Sequence, residues 1–199
     1  MPHPLILASG SVIRADMLRR AGVVVQIVIP RVDEDALRAG LLAEGATPRD
    51  LADALAEQKA RKVAGKHPNA RVLGCDQVLV LNGTILTKPA SRDEAAVQLR
   101  QLRGHTHQLL SAAVLFDAGV PVWRHVDTAT LTMRDFSDGY LGGYLSRGWP
   151  DIASSVGAYK LEEEGVRLFS RIEGSHFTIL GLPLLPLVLH LGRIGAIDA

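Results

Sequence analysis

Val72-Leu73-Gly74-Cys75-Asp76-Gln77-Val78-Leu79-Val80-Leu81-Asn82-Gly83-Thr84-Ile85-Leu86-Thr87 is the stretch on which the fold turns. Val72–Leu81 is an apolar strand broken by one charge, and Thr84–Thr87 is its return. Asn82-Gly83 between them is the dipeptide most favoured in a type I′ hairpin turn. An antiparallel hairpin inside a chain that otherwise alternates strands and helices calls for a mixed sheet rather than an all-parallel one.

Upstream, Leu5–Ala8 reads as a short buried strand. Ser9-Gly10-Ser11 turns it into a helix over Val12–Ala21, with Gly22 placed as C′ residue. Val23–Ile29 is β-branched and predicts a second strand. Thr47-Pro48-Arg49-Asp50 starts a helix to about Lys62, with Thr47 as N-cap and Pro48 at N1. Downstream, Ser91-Arg92-Asp93-Glu94 is a capping box opening a helix to about Arg103. Gln108–Phe116 and Val120–Thr132 are strands joined at Asp117-Ala118-Gly119, and Ser137 caps a short helix to about Arg147. A strand over Phe177–Leu180 is expected to lead through Gly181-Leu182-Pro183 into a final helix.

Composition bounds the function. The chain has 199 residues, 47% of them hydrophobic and 22% charged, which describes an ordinary globular protein. A formal charge of +1 argues against a protein held on a nucleic-acid polymer by bulk electrostatics. The one cysteine, Cys75, cannot close an internal disulfide, so a reducing compartment is expected. Met1-Pro2-His3-Pro4 has no basic leader character, and the apolar run Phe177–Leu191 is interrupted by Pro183, Pro186 and His190. That run is also shorter than the ~20 residues a membrane span needs. The expectation is a cytoplasmic protein with no membrane partner, and with Phe177–Leu191 packed in its core.

Several residues resist a purely structural reading. Alternation puts Asp76 on one face with Val72, Gly74, Val78 and Val80. A lone carboxylate there needs a cation, a metal or a polar cleft, unless the strand ends early and leaves it in a solvated turn. Lys59 falls inside the apolar stripe Ala52, Leu55, Ala56, Ala60 and Val63, where it either snorkels outward or points at an anion. Ser9-Gly10-Ser11 at a helix start, with Arg14 in the first turn, is a geometry that favours phosphate, although no Walker A ending follows. Val32-Asp33-Glu34-Asp35 reads as an acidic loop: either a solvated run or the source of one carboxylate for Mg²⁺ or Mn²⁺. His105 and His107 would point the same way on a strand, but no zinc-site pattern accompanies them.

Taken in order, these segments resemble the Maf-like nucleotide pyrophosphatases. The resemblance is carried by Leu5–Ser11 with Arg14, Val32-Asp33-Glu34, Lys59-Ala60, Gly74-Cys75-Asp76-Gln77, Lys88-Pro89, Leu102-Arg103-Gly104 with His107, Gly157-Ala158-Tyr159, Ile172-Glu173-Gly174-Ser175 and Gly181-Leu182-Pro183-Leu184. It implies a single α/β domain over residues 1–199 of the ITPase-like type, an elongated mixed sheet flanked by helices with a cleft between two lobes. It implies hydrolysis of nucleoside triphosphates between the α- and β-phosphates with a divalent metal (Mg²⁺, Mn²⁺ or Co²⁺). Asp76 would be the proton acceptor, Glu34 and Asp76 the metal residues, and Ser9, Ser11, Arg14, Lys59 and Lys88 the phosphate binders. Members of that family are commonly dimeric, so a homodimer is open to this chain. The family is also linked to arrest of septum formation, which keeps a nucleotide-binding regulator as the rival to an enzyme.

Three positions separate the family's subtypes, and here they are Ile13, Gln77 and Glu162. The 7-methyl-GTP type carries Trp, Gln and Glu, and the dTTP/UTP type Arg, Thr and Gln. A carboxylate at Glu162 would pair with the two donors of a guanine edge and repel the carbonyls of uracil or thymine, unless it belongs only to the exposed run Glu162-Glu163-Glu164. Ile13 matches neither type. In a regular strand Asp76 and Gln77 point to opposite faces, so both reach one cleft only if the strand bulges there.

Overall fold

The computed structural model describes residues 5–198; Met1-Pro2-His3-Pro4 and Ala199 lie outside them. The elements are β1 (Leu5–Ala8), α1 (Val12–Arg20), β2 (Val25–Ile27), α2 (Glu34–Ala43), α3 (Pro48–Ala64), β3 (Arg71–Leu81) and β4 (Thr84–Leu86). They continue with α4 (Arg92–Leu102), β5 (Thr106–Asp117), β6 (Val120–Met133), α5 (Asp138–Gly148), β7 (Phe169–Glu173), α6 (His176–Ile179) and α7 (Leu184–Arg193). Three 3-10 turns, Asp151–Ser154, Val156–Ala158 and Glu164–Leu168, connect α5 to β7. The described strands form a seven-stranded sheet in the order β2-β1-β3-β5-β6-β7, with β4 also paired to β3. β1 is parallel to β2 and β3, whereas the β3–β4 and β6–β7 pairs are antiparallel, so the sheet is mixed. No described helix is long and apolar enough to cross a membrane.

Both hairpin turns follow their sequence. Asn82 and Gly83 have φ of 49° and 82°, and Ala118 and Gly119 47° and 79°, the paired left-handed conformations of a type I′ turn. Thr47 and Asp50 cap α3 reciprocally, with Pro48 at its start. Ser91 caps α4, but Glu94 returns its bond to the amide of Ala90 rather than to the cap residue's own.

The described residues divide into two compact units: 5–77, 110–127 and 176–198 form one, and Val78–Leu109 and Thr128–Ser175 the other. In the first unit, α1 and α7 cover one face of the sheet. Their Ala15, Leu18, Leu184, Leu187 and Leu191 pack with Leu5, Leu7, Leu73, Cys75 and Leu115. The C-terminal apolar run is thus core along one side only: Leu184, Leu187 and Leu191 are buried, whereas Phe177, Leu185 and Leu189 are exposed. α3 covers the opposite face, burying Leu51, Leu55, Ala56, Lys59, Ala60 and Val63. A Cβ on Gly74 would lie 2.1 Å from the Ala56 carbonyl oxygen and 2.7 Å from the Ala60 nitrogen, so glycine is what lets α3 come this close to β3. The second unit buries Leu99 and Leu102 of α4 and Leu141, Tyr144 and Leu145 of α5. Its His107, Tyr159 and Phe169 form an aromatic cluster.

Four expectations are corrected. Phe177–Leu180 is not a strand, because His176–Ile179 forms the helical turn α6; a run of four residues carries too little periodicity to separate the two states. The strand of this region is β7, hydrogen-bonded antiparallel to β6. The second strand shrinks from Val23–Ile29 to Val25–Ile27, since it pairs only along Leu5–Leu7 of β1. The acidic run Val32–Asp35 is no free loop: Asp33 caps α2 and Glu34 and Asp35 fill its first turn, where carboxylates suit the helix dipole. His105 precedes β5 and is exposed, whereas His107 is buried with Nε2 2.8 Å from the Tyr159 hydroxyl, so the two rings do not converge.

Candidate active site

β3 continues past Asp76 to Leu81, and Asp76 is 7% exposed, which removes the solvated-turn alternative. Asp76 lies on the same face as Gly74, the face that α3 covers. Lys59, 8% exposed, reaches from α3 and donates to Asp76 Oδ1 at 2.6 Å. The same Nζ lies 2.9 Å from Glu34 Oε2 at the start of α2. One ammonium therefore joins a strand carboxylate to a helix carboxylate, and each of the three conflicting residues answers another's charge. The lysine does not snorkel.

A second cluster abuts the first. Ser11 caps α1 by accepting from the Arg14 amide, and Ser9 Oγ accepts from the Ser11 amide at 3.2 Å. One amide of the turn, that of Ser11, and the Arg14 amide in the first turn of α1 are thus already engaged. The Arg14 guanidinium donates from Nε to the Gly181 carbonyl at 2.7 Å and from Nη1 to the Cys75 carbonyl at 3.1 Å, with Ser9 Oγ at 3.4 Å. Arg14 is held by the backbone one residue before Asp76. Burial pushes the Cys75 thiol between the clusters up to about 11, although Arg14 and Lys59 pull it down. Cys75 is inert core.

Gln77 points away from Asp76, as strand alternation requires. Its Nε2 has Ser111 Oγ, the Thr178 carbonyl and the Ile179 carbonyl all at 3.0 Å. Ile13 is half-buried on α1. Of the remaining expected residues, Lys88 is exposed between β4 and α4, and Glu162 is exposed in the turn before Glu164–Leu168, both in the second unit. Beside Glu162, Glu163 is exposed and Glu164 pairs with Arg147 at 2.6 Å.

The donor chemistry of Glu34 and Asp76 fits a hard divalent cation. No group of three or more His, Cys, Asp or Glu that could hold a metal occurs among the described residues. Magnesium-type ions, however, are typically bound by one or two carboxylates, with substrate phosphates and water completing the shell. Two features escaped the sequence reading, the carbonyl cradle of Arg14 and the Gln77–Ser111–Thr178 network. Gly181 was the available signal for the first, since an interior glycine often marks a close approach.

Fold and site together define a mixed α/β protein in which a buried acid–lysine cluster sits beside a backbone-anchored arginine at a helix start. Residues 4–194 match the Maf-like protein family, and the chain belongs to it. It is 58% identical over 198 residues, 100% of both chains, to the nucleoside triphosphate pyrophosphatase of Ruegeria pomeroyi. It is 49% identical over 198 residues, again 100% of both chains, to the 7-methyl-GTP pyrophosphatase of Mesorhizobium japonicum. A crystal structure of a nucleoside-triphosphatase/dITP/XTP pyrophosphatase from Mycobacterium abscessus aligns over 97% of this chain and 96% of its own, at 15% identity and a TM-score of 0.42.

Proposed function

We propose that this chain is a nucleoside triphosphate pyrophosphatase that cleaves its substrate between the α- and β-phosphates, with guanine-type triphosphates, 7-methyl-GTP among them, as preferred substrates. The observation that carries the reading is the buried Asp76–Lys59 pair, joined by the part-exposed Glu34, with Arg14 anchored beside it. Two carboxylates against one lysine, Asp76 buried and Glu34 part-exposed, leave excess negative charge, and burying Asp76 there has no stabilising purpose of its own. It suits a site that receives a cation and a polyphosphate together.

Asp76 and Glu34 would hold a divalent cation, Mg²⁺, Mn²⁺ or Co²⁺. When bound, that ion would neutralise phosphate charge and acidify a coordinated water. Arg14, Lys59 and the remaining amides of the Ser9–Ser11 turn would take the phosphate oxygens, with Lys88 as a further cation. In the reaction, a water oxygen bonds to the α-phosphorus while the bond to the bridging oxygen breaks and pyrophosphate leaves. Asp76 accepts the water's proton, and the hydrogen bond from Lys59 holds that carboxylate in place. Glu162 offers two acceptors to the N1–H and exocyclic amine of guanine.

The test is product analysis with GTP, 7-methyl-GTP, dTTP, UTP and CTP, with each metal and with a chelator. Equal yields of nucleoside monophosphate and pyrophosphate, abolished by chelation, are expected. Diphosphate plus inorganic phosphate would refute the cleavage site, and turnover surviving chelation would refute the metal. No turnover of any nucleotide would leave a nucleotide-binding regulator as the better account.

A further inference from the structure

We infer that Gln77 is a positioning residue for Arg14: through a polar network it fixes the segment Thr178–Gly181, whose Gly181 carbonyl orients the guanidinium. The inference rests on the proposed role of Arg14 as a phosphate binder and adds residues to it.

The network can be followed bond by bond. Gln77 Nε2 has two hydrogens and three acceptors at 3.0 Å: Ser111 Oγ and the carbonyls of Thr178 and Ile179. Ser111, fully buried, donates its own hydroxyl to the Thr178 carbonyl at 2.7 Å. Thr178, also fully buried, donates its hydroxyl to Asp127 Oδ2 at 2.6 Å. The carbonyls of Thr178 and Ile179 at the end of α6 are thus tied to β3 and β5, and the Thr178 side chain to β6. Gly181 follows with φ of 97°, its amide bonded to the Thr178 carbonyl at 3.0 Å. Its carbonyl is the 2.7 Å acceptor for Arg14 Nε. A Cβ there would come within 3.0 Å of Arg14 Nε and Nη2. The arginine is therefore positioned by a short backbone segment that Gln77, Ser111 and Asp127 tie to the sheet.

The consequence concerns selectivity. An amide whose N–H donors are both engaged by the protein has none to offer a nucleobase. Loss of Gln77 should then weaken phosphate binding equally for every base, rather than change which base is preferred.

The experiment compares full-length wild type, Gln77→Leu, Ser111→Ala, Arg14→Ala and Gln77→Leu/Arg14→Ala. The readouts are KM and kcat for GTP and UTP, and calorimetric affinity for inorganic tripolyphosphate. Gln77→Leu should raise both KM values and weaken tripolyphosphate binding by about tenfold, with the GTP/UTP ratio of kcat/KM unchanged within twofold. It should add nothing in the Arg14→Ala background, because both changes remove one function. Ser111→Ala removes a single hydroxyl and should show the same pattern more weakly, which keeps the test open if Gln77→Leu fails to fold. A fivefold change in the GTP/UTP ratio would overturn the inference and make Gln77 a base-contacting residue. Effects that multiply in the double variant, or wild-type protein that does not bind tripolyphosphate, would also overturn it. If the wild type binds tripolyphosphate but turns over no nucleotide, the proposed activity fails while the affinity cycle still decides the role of Gln77.

Discussion

Gly74→Ala tests how the fold makes the site. The new methyl would sit 2.1 Å from the Ala56 carbonyl oxygen, 2.7 Å from the Ala60 nitrogen and 2.9 Å from Ala60 Cβ. Two of these three are backbone atoms of α3, so no rotamer change relieves the overlap. Restoring an ordinary contact of about 3.3 Å to that oxygen requires α3 to retreat by about 1.2 Å. Overpacking of this kind costs about 1–3 kcal/mol. For a chain of this size, that should lower Tm by roughly 2–12 °C.

The functional effect should be larger than the stability effect. Lys59 is on the helix that moves and Asp76 on the strand that stays, and they meet at 2.6 Å. A displacement near 1 Å of a positioning group can lower turnover by ~100-fold. The assay is pyrophosphate release at saturating GTP alongside calorimetric Tm, at a temperature where the variant is fully folded. Expected is a folded variant with kcat reduced about a hundredfold. Wild-type kcat together with a wild-type Tm would show that α3 is not seated by this contact. Wild-type kcat with a lowered Tm would show that the Lys59–Asp76 geometry does not limit catalysis.

Asp76→Asn keeps the shape and should lower kcat about 10²–10⁴-fold while nucleotide affinity changes little, measured by pyrophosphate release and calorimetry; retention of most of the wild-type kcat would transfer proton acceptance elsewhere. Glu162→Gln should narrow the preference for GTP over UTP by roughly ten- to a hundredfold in kcat/KM, and an unchanged ratio would mean that this carboxylate only faces solvent with Glu163. Burial lowers the pKa of His107 from 6.5 to about 4, so its neutral form contributes stability that is fully present above about pH 6.5 and is lost as pH falls toward 4. About 3 kcal/mol is at stake over that window, and Tm of the wild type should fall more steeply from pH 7 to 4.5 than that of His107→Gln; parallel curves would assign the acid loss to other groups.

Much of the site was legible because its residues contradict their surroundings. A carboxylate inside an apolar strand and a lysine inside a helix's apolar stripe each demand a partner, and in the structure each is the other's. Hairpins and caps were legible for a local reason: Asn82-Gly83 and Thr47-Pro48-Arg49-Asp50 satisfy their own backbone geometry within a few residues. What was illegible depends on distant partners. Phe177–Leu180 has strand-forming composition, yet its carbonyls bond to Gln77 and Ser111, far away in sequence. The helix opened by Asp33 was hidden because an acidic run suits a solvated loop and a helix's first turn equally well. His107 stood in the sequence only as half of a pair with His105 that no zinc-site pattern accompanied, and only the fold supplies Tyr159 and Phe169 around it.

The two cations of the site share one physical device, which appears in the sequence only as missing side chains. Gly74 admits the backbone of α3 and so delivers Lys59 to Asp76; Gly181 leaves room for the Arg14 guanidinium against its own carbonyl. In each case a long, flexible cation is located by a rigid backbone rather than by its own rotamer preferences, which would reduce the entropy lost on binding the proposed polyphosphate. The same logic explains why Cys75 stands between them. The site needs its backbone carbonyl, which accepts from Arg14, and not its thiol, which burial holds protonated. Any small apolar residue that preserves the strand could fill that place. Gly74 and Gly181 have no such substitutes: a Cβ at the first meets helix backbone, and at the second it meets the arginine at a φ of 97°.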